Sequence, residues 1–270
     1  REPGAAGPTG PAEPPGPTAS SQPAGPAGSH ALAEPTVPVR RGWIALLAVA
    51  NLGLWMAFFT PIQVLLPQQV ESIAPADKEN MLAVVTGLGA LAAVVANPVA
   101  GALSDRTRPR LGRRALGRRH VWTAGGALVG AACLVLLAQQ RSILGVALGW
   151  VAAQICFNAM LATLTAAVPD RVPVAQRGAV SGWVGIPQAL GLVVGVVLVT
   201  VVVTGNAAGY LAVAGAVLLL GLPFPLFTPD DPLPAGRPAS PRPRQPLAGF
   251  WISPRRHPDF AWAWATRFLV

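Results

Sequence analysis

The charged residues of this sequence gather in short loops between long apolar segments, and the densest group surrounds Asp105. That group contains one carboxylate and seven basic side chains: Asp105, Arg106, Arg108, Arg110, Arg113, Arg114, Arg118 and Arg119. Because Asp105 follows an uncharged segment closely, it lies at a boundary where a carboxylate needs a cationic partner or a helix amino terminus. The chemistry that this loop offers is ion pairing at the edge of a membrane.

A second charged group follows a later apolar segment and contains Asp170, Arg171 and Arg177, with Gly178 directly after. Two interpretations stay open. In the first, Asp170 and Arg177 pair with the charges around Asp105 in one conformation and separate in another. In the second, Pro169 and Asp170 end a helix and the carboxylate lies in solvent.

Uncharged polar residues inside the apolar segments are the candidates for solute binding. Gln154 and Asn158 are spaced i, i+4 and therefore share one helix face. Together with Asn51, Trp55 and Gln188 they form a candidate central cavity, because amides offer donors and an acceptor to hydroxyl-rich solutes and an indole can stack on a sugar ring. The alternative is hydrogen bonding between helices, worth about 0.6 kcal/mol per pair.

The sequence contains no catalytic triad, metal-ligand cluster or phosphate-binding loop. Cys133 and Cys156 lie in apolar segments without metal or redox spacing, and the three histidines lie in loops. We therefore expect no enzyme and no cofactor. The net charge of +9 could indicate nucleic-acid binding, but the arginines lie in short runs between apolar segments, so nucleic acid is not an expected partner.

The elements that must position these residues are helices that cross a membrane. The chain has 270 residues, of which 52% are hydrophobic and 11% are charged, against about 25% charged in soluble domains. Six segments lack charged residues and histidine: 43–66, 81–103, 121–138, 143–168, 179–204 and 207–227. Each is expected to form a helix, because a lipid-exposed strand cannot satisfy its own backbone. The fold class is therefore an all-α membrane protein, and Gly191 and Gly195 predict a close helix contact.

The loops between these segments predict the orientation. Sixteen arginines are expected on one side of the membrane, and Lys78 and Arg141 on the other. Because the arginine-rich side stays in the cytoplasm, the amino terminus is expected to be cytoplasmic. We expect a multi-pass protein of the inner (plasma) membrane, with membrane lipid as a partner.

The sequence divides into four parts. Residues 1–40 are rich in Pro, Gly and Ala and are expected to form a disordered cytoplasmic tail. Residues 41–227 hold the six helices, residues 228–259 form a basic cytoplasmic linker, and residues 260–270 open a seventh apolar segment. Because the sequence begins without methionine and stops inside that segment, we expect a fragment that lacks a C-terminal half.

The two charged loops resemble the major facilitator superfamily. Gly101-Ala102-Leu103-Ser104-Asp105-Arg106, followed by Gly112-Arg113-Arg114, resembles its signature between helices 2 and 3, and residues 169–182 resemble its helix 4–5 loop. The resemblance covers residues 43–270 and implies the six-helix N-terminal bundle of a twelve-helix transporter, truncated at the start of helix 7. It also implies a conformational gate formed by Gly101, Asp105, Arg106, Gly112, Arg113, Arg114, Asp170, Arg171, Arg177 and Gly178. The alternative for the first loop is positive charge that sets topology and does nothing else.

A near-repeat complicates the first loop. Leu111-Gly112-Arg113-Arg114-Ala115 is followed by Leu116-Gly117-Arg118-Arg119-His120, which indicates a five-residue duplication. Two Gly-Arg-Arg copies are therefore available for one family position. The long spacing from Asp105 to Gly112 is similar to that of the sugar–cation symporters within the superfamily.

The resemblance implies a transporter that moves a small polar solute, preferably a sugar, by alternating access and in symport with a proton or sodium ion. Because the six segments contain no ionisable residue, coupling would depend on the missing half or on Asp105 and Asp170, unless the carrier is uncoupled. A drug or metabolite efflux transporter of the same superfamily is the first alternative. A membrane scaffold or receptor that transports nothing is the alternative from another class.

Overall fold

The computed structural model describes residues 35–230 except 108, 109, 112, 113 and 116, together with Trp262 and Thr266. The predicted tail up to residue 34 therefore lies outside the described residues. So do the predicted linker from residue 231 onward and the predicted seventh segment apart from Trp262 and Thr266.

The described part of the chain forms eight α-helices that make up six spans. They are α1 (Arg41–Thr60), α2 (Leu66–Ile73), α3 (Lys78–Arg106), α4 (Arg118–Leu137), α5 (Ile143–Arg171), α6 (Val174–Val197), α7 (Asn206–Gly221) and α8 (Pro223–Phe227). The π-turn Pro61–Leu65 joins α1 to α2, a second π-turn, Leu198–Val202, follows α6, and the short 3₁₀ turn Pro75–Asp77 precedes α3. All six spans are long and apolar enough to cross a membrane by length and composition. The predicted all-α, six-helix class is confirmed.

Several helices extend beyond the uncharged segments that predicted them. The first span continues through α2 to Ile73 and includes Glu71, and α3 runs from Lys78 to Arg106. Polar residues at the ends of a span can stay helical because they reach the interfacial region, where their side chains are solvated while the backbone remains hydrogen-bonded.

A proline accounts for the irregular turn in the first span. Pro61 has no backbone N–H, so the regular hydrogen-bond ladder is interrupted and a π-turn forms over Pro61–Leu65. The Leu65 carbonyl oxygen accepts a hydrogen bond of 2.6 Å from Nδ2 of Asn206. This bond ties the turn to the start of α7.

A small β-hairpin between α3 and α4 was not predicted from the sequence. Strand β1 (Arg110–Leu111) pairs antiparallel with β2 (Arg114–Ala115), so that Arg110 lies opposite Ala115. Arg114 of the first Gly-Arg-Arg copy lies in β2, whereas Arg118 and Arg119 of the second copy begin α4. The two copies of the repeat therefore occupy different structural positions.

The core of the bundle lies between α5 and its neighbours. Helix α5 packs against α3 and α4, and α1 packs against α6 and α7. Trp150 and Phe157 of α5 are fully buried, as is Tyr210 of α7. Large apolar side chains such as Leu91 of α3 and Trp183 of α6 are exposed instead. Such an outer surface suits a bundle whose exterior meets lipid or another membrane segment.

Two glycines of α6 set its close approach to α1. A Cβ atom at Gly191 would lie 2.7 Å from Cβ of Trp55 and 3.0 Å from the backbone nitrogen of Met56, and one at Gly195 would meet Thr60. By contrast, the position that a Cβ would take at Gly185 has no described atom within 4 Å apart from the neighbouring backbone of its own helix. Gly191 and Gly195 therefore make the close helix contact that their spacing predicted, and the structure identifies α1 as the partner.

The substitution Gly191→Ala is expected to destabilise the bundle by about 1–3 kcal/mol, because the α1 backbone would have to move to admit a methyl group. Gly185→Ala is the matched control on the same helix, and we expect it to be neutral or slightly stabilising, since alanine favours a helix over glycine. Thermal unfolding of the purified full-length protein measures both. Equal losses in the two variants would show that Gly191 does not determine this packing.

Candidate functional site

Side chains from three helices meet at one end of the bundle. We call this group the charge cluster, and its members are Ser104 and Asp105 of α3, Arg118 and Arg119 of α4, and Asp170 of α5. Each residue lies within the first or last turns of its helix. The cluster therefore joins three helix ends that are far apart in the sequence.

Arg119 is the centre of the charge cluster because its guanidinium group contacts all three of its partners. Its Nε donates to Oδ2 of Asp170 at 2.8 Å, and its Nη1 donates to Oγ of Ser104 at 2.6 Å. Its Nη2 lies 2.7 Å from Oδ1 of Asp105. One planar side chain thus links α4 to both α3 and α5, a geometry for which the fixed fork of arginine is suited.

Asp170 receives a second cation. Nη2 of Arg118 donates to the same Oδ2 of Asp170 at 3.0 Å, so one carboxylate oxygen accepts from two arginines. The side chain of Asp170 is 29% exposed and that of Asp105 is 56% exposed, whereas Arg119 is buried. Because solvent screens exposed ion pairs, the contact with Asp170 contributes more than the contact with Asp105.

Small side chains bring α3 and α5 together next to the charge cluster. Ala100 of α3 and the α5 residues Ala159 and Ala162 form a buried apolar group with Trp122 of α4 packed against it. Nε1 of Trp122 donates to Oγ1 of Thr107 at 2.9 Å. This apolar layer lies along the same helices as the ion pairs, with Ala100 four residues before Ser104 and Ala162 eight before Asp170.

Asp230, which follows α8, adds a fourth segment to this end of the bundle. Its Oδ2 accepts hydrogen bonds from the backbone N–H of Arg119 at 2.8 Å and of His120 at 3.0 Å. A carboxylate in this position caps the first turn of α4 and complements the helix dipole. Oγ1 of Thr228 lies 3.1 Å from Nε2 of His120, and Arg171 donates to the Pro229 carbonyl oxygen.

The substitution Asp230→Ala is expected to lower stability by about 1 kcal/mol, since two N–H groups of α4 lose their acceptor. Asp77→Ala is the matched control, because Asp77 precedes α3 and makes no side-chain capping bond there. Unfolding of the purified full-length protein in denaturant compares the two. A loss at position 77 equal to that at position 230 would contradict the capping role.

The structure places the predicted gate residues in several different settings. Asp105 and Asp170 meet through Arg119, as described above. Arg106 is exposed at the end of α3, and the Cβ position at Gly101 is open. Gly112 and Arg113 lie outside the described residues, Arg114 lies in β2, and Gly178 is exposed on α6.

Arg177 binds the turn between α5 and α6. Its Nε donates to the Val172 carbonyl oxygen at 3.0 Å, and its Nη2 donates to the Pro169 carbonyl oxygen at 3.3 Å. Pairing with the first loop was predicted for both Asp170 and Arg177. The described ion pairs that reach α4 are those of Asp170.

Sequence reasoning did not select Arg118, Arg119, Ser104 or Asp230 as site residues. The near-repeat at 116–120 was the signal for the two arginines, since it supplies a second Gly-Arg-Arg copy shortly before the apolar segment 121–138. Ser104 lies inside the quoted signature, directly before Asp105. Asp230 carried no local signal, because its partners lie more than a hundred residues away.

The candidate cavity residues are mostly buried between helices. Gln154 and Asn158 are each 6% exposed and bond to one another, with Nδ2 of Asn158 donating to Oε1 of Gln154 at 3.1 Å. Asn51 is 3% exposed and donates to the Leu47 carbonyl oxygen of its own helix at 2.8 Å. Trp55 is half-buried and stacks on Phe59, with ring centroids 5.4 Å apart, and Gln188 is exposed on α6. The structure brings Gln154 and Asn158 together and leaves Gln188 on the outer surface.

Comparison with known proteins identifies the family. The family model of the Major Facilitator Superfamily matches residues 79–270, which include the charge cluster and nearly all of the chain from α3 onward. No curated protein and no solved structure matches the chain. The match covers well over half of the sequence and agrees with the six apolar spans. The chain therefore belongs to the Major Facilitator Superfamily, a family of membrane transporters.

Proposed function

We propose that this protein moves a small polar solute across the plasma membrane by alternating access, and that a second six-helix half completes the pathway. The charge cluster is the observation that carries the proposal. Arg119 holds the ends of α3 and α5 through separate nitrogens, and each contact is an ion pair or hydrogen bond that can break and re-form. An element with two such arrangements is what alternating access requires.

The second Gly-Arg-Arg copy takes the gate position in this proposal. Arg118 and Arg119 contact Asp170, and Arg119 also contacts Asp105. Arg114 of the first copy lies in the hairpin and lengthens the loop between α3 and α4. The predicted contacts between the two charged loops then run through the second copy.

The proposed orientation places the charge cluster at the cytoplasmic surface. It rests on the sixteen arginines in the loops assigned to that side against Lys78 and Arg141 in the loops assigned to the other. The amino terminus is then cytoplasmic, and opening of the charge cluster gives the solute a path to the cytoplasm.

The proposed solute is a sugar or similar hydroxyl-rich molecule, imported in symport with a proton or sodium ion. Gln154 and Asn158 support this, because their paired amides lie on one face of the central helix α5. Amide groups that bond to one another can exchange that bond for hydroxyl groups of a solute. Trp55 and Phe59 offer a half-buried aromatic pair on α1.

Reconstitution of the full-length protein in proteoliposomes tests the proposal. We expect labelled sugars from a panel to enter against their gradient when a proton or sodium gradient is imposed. Asn158→Ala should then raise KM, whereas Gln139→Ala should not, because Gln139 is an exposed residue that bonds to its own helix. Export of apolar drugs would favour the efflux alternative, and the absence of flux for any solute would favour a scaffold.

A further inference from the structure

A groove at the arginine-rich end of the bundle has a lining that shares no residue with the charge cluster or the candidate cavity. It has a volume of about 620 Å³ and lies between the segment that leads into α1 and the end of α8. Its walls include Val39, Arg40, Trp43, Leu46, Arg171 and Phe227. Its size is in the range of small-molecule sites in proteins.

The charges of the groove are of one sign. Two arginines from different parts of the chain, Arg40 before α1 and Arg171 at the end of α5, line it, and its described lining contains no aspartate or glutamate. Arg40 is exposed and Arg171 is half-buried. The Arg171 guanidinium already donates to the Pro229 carbonyl oxygen, which holds it at the groove. Two guanidinium groups that line one groove are complementary to a phosphate group.

Most of the remaining lining is apolar. It lies where the first span begins with α1 and the sixth span ends with α8. Trp43 packs edge-on against Phe224, with ring centroids 5.6 Å apart, and Phe227 is 75% exposed beside the groove. Trp43 itself is buried, so Phe227 supplies the exposed aromatic surface beside the groove. The groove therefore combines two cations with apolar walls, and an exposed aromatic side chain lies beside it.

Hydrogen bonds hold the wall of the groove that Val39 forms. The backbone N–H of Val39 donates to Oε1 of Gln176 at 2.9 Å, and Nε2 of Gln176 donates back to the Val39 carbonyl oxygen at 3.2 Å. This reciprocal pair holds the segment before α1 against α6. The groove is consequently built into the fold and needs no ligand to form.

We propose that this groove binds an anionic phospholipid of the adjoining leaflet. The lipid phosphate lies between Arg40 and Arg171, and the acyl chains run along Leu46 and Phe227. An anionic head group is favoured over a zwitterionic one because it leaves a net negative charge for the two arginines. The proposal does not depend on which solute the protein carries.

Full-length protein in phosphatidylcholine nanodiscs provides the test, with thermal stabilisation by added dioctanoyl phosphatidylglycerol as the readout of affinity. Each arginine near an anionic lipid contributes about five-fold to binding, so Arg40→Gln combined with Arg171→Gln should weaken binding about thirty-fold. Arg41→Gln is the matched control, because Arg41 is an adjacent exposed arginine that does not line the groove. An unchanged affinity in the double variant would overturn the proposal.

A steric variant covers the case in which the double variant does not fold. Gly42 lines the groove, and a Cβ there would meet no described atom within 4 Å apart from the neighbouring backbone of its own helix, so Gly42→Leu should fold and obstruct the site. Gly87→Leu is its control, since that position is equally open and lies on α3. We expect loss of phosphatidylglycerol stabilisation with Gly42→Leu alone. Equal stabilisation by inorganic phosphate or by dioctanoyl phosphatidylcholine would overturn the lipid assignment.

Discussion

Replacing Asp170 with asparagine is expected to open the charge cluster and to abolish coupled transport. The substitution keeps the size of the side chain but removes the negative charge that Arg118 and Arg119 share. Removing one partner of a buried ion pair costs about 3–5 kcal/mol. Because the Asp170 side chain is 29% exposed, we expect a cost at the lower end of that range, about 3 kcal/mol. A change of that size alters a conformational equilibrium about a hundred-fold.

The measurement is solute flux by the full-length protein in proteoliposomes, with thermal unfolding of the same preparation. Asp105→Asn is the matched control, because the described contact of Asp105 with Arg119 is at Nη2 and the Asp105 side chain is 56% exposed. We expect that control to lose no more than about 1 kcal/mol. Equal losses of flux and of stability in the two variants would contradict the larger contribution assigned to Asp170.

Replacing Arg119 with alanine is expected to have an equally large effect. The variant loses the contacts to Ser104, Asp105 and Asp170 at once, and α4 is then no longer bonded to α3 and α5 through this side chain. We expect flux to fall at least about ten-fold, as for the loss of a buried ion-pair partner. Arg119→Lys should recover little of the lost flux, since one ammonium group cannot present donors to three partners in the geometry of a guanidinium fork.

Two further variants identify which Gly-Arg-Arg copy supplies the gate arginines. Arg118→Ala removes one bond to Asp170 and should reduce flux less than Arg119→Ala does. Arg114→Ala, in strand β2 of the first copy, should leave most of the flux intact. Loss of flux with Arg114→Ala and its retention with Arg119→Ala would assign the gate position to the first copy.

The sequence was sufficient to predict the six spans because their signal is compositional. A run of about twenty residues without charge has few structures open to it in a bilayer, so the segments from 43–66 to 207–227 all became helices. Their ends were less predictable. Glu71 in α2 and Arg106 in α3 are helical although they lie outside the uncharged runs, because charge alone does not end a helix at a membrane surface.

The rotation of each helix about its axis was not predictable from the sequence. Nearly every face of α5 is apolar, so the i, i+4 spacing of Gln154 and Asn158 showed that they are neighbours but not which helix they face. Their burial and their mutual bond depend on packing against α3 and α4. The capping of α4 by Asp230 is a contact across more than a hundred residues, and no local pattern encodes it.

The most direct test of the proposed gate is the accessibility of a thiol placed beneath the charge cluster. Ala162, 9% exposed in the apolar layer next to the cluster, is suitable, with Cys133 and Cys156 first replaced by alanine in the full-length protein. We predict that Ala162→Cys reacts slowly with a membrane-impermeant thiol reagent, and that a transported solute or Asp170→Asn accelerates the reaction at least about ten-fold. Reaction at the same rate under all three conditions would show that the charge cluster is a static brace of the helix ends and not a gate.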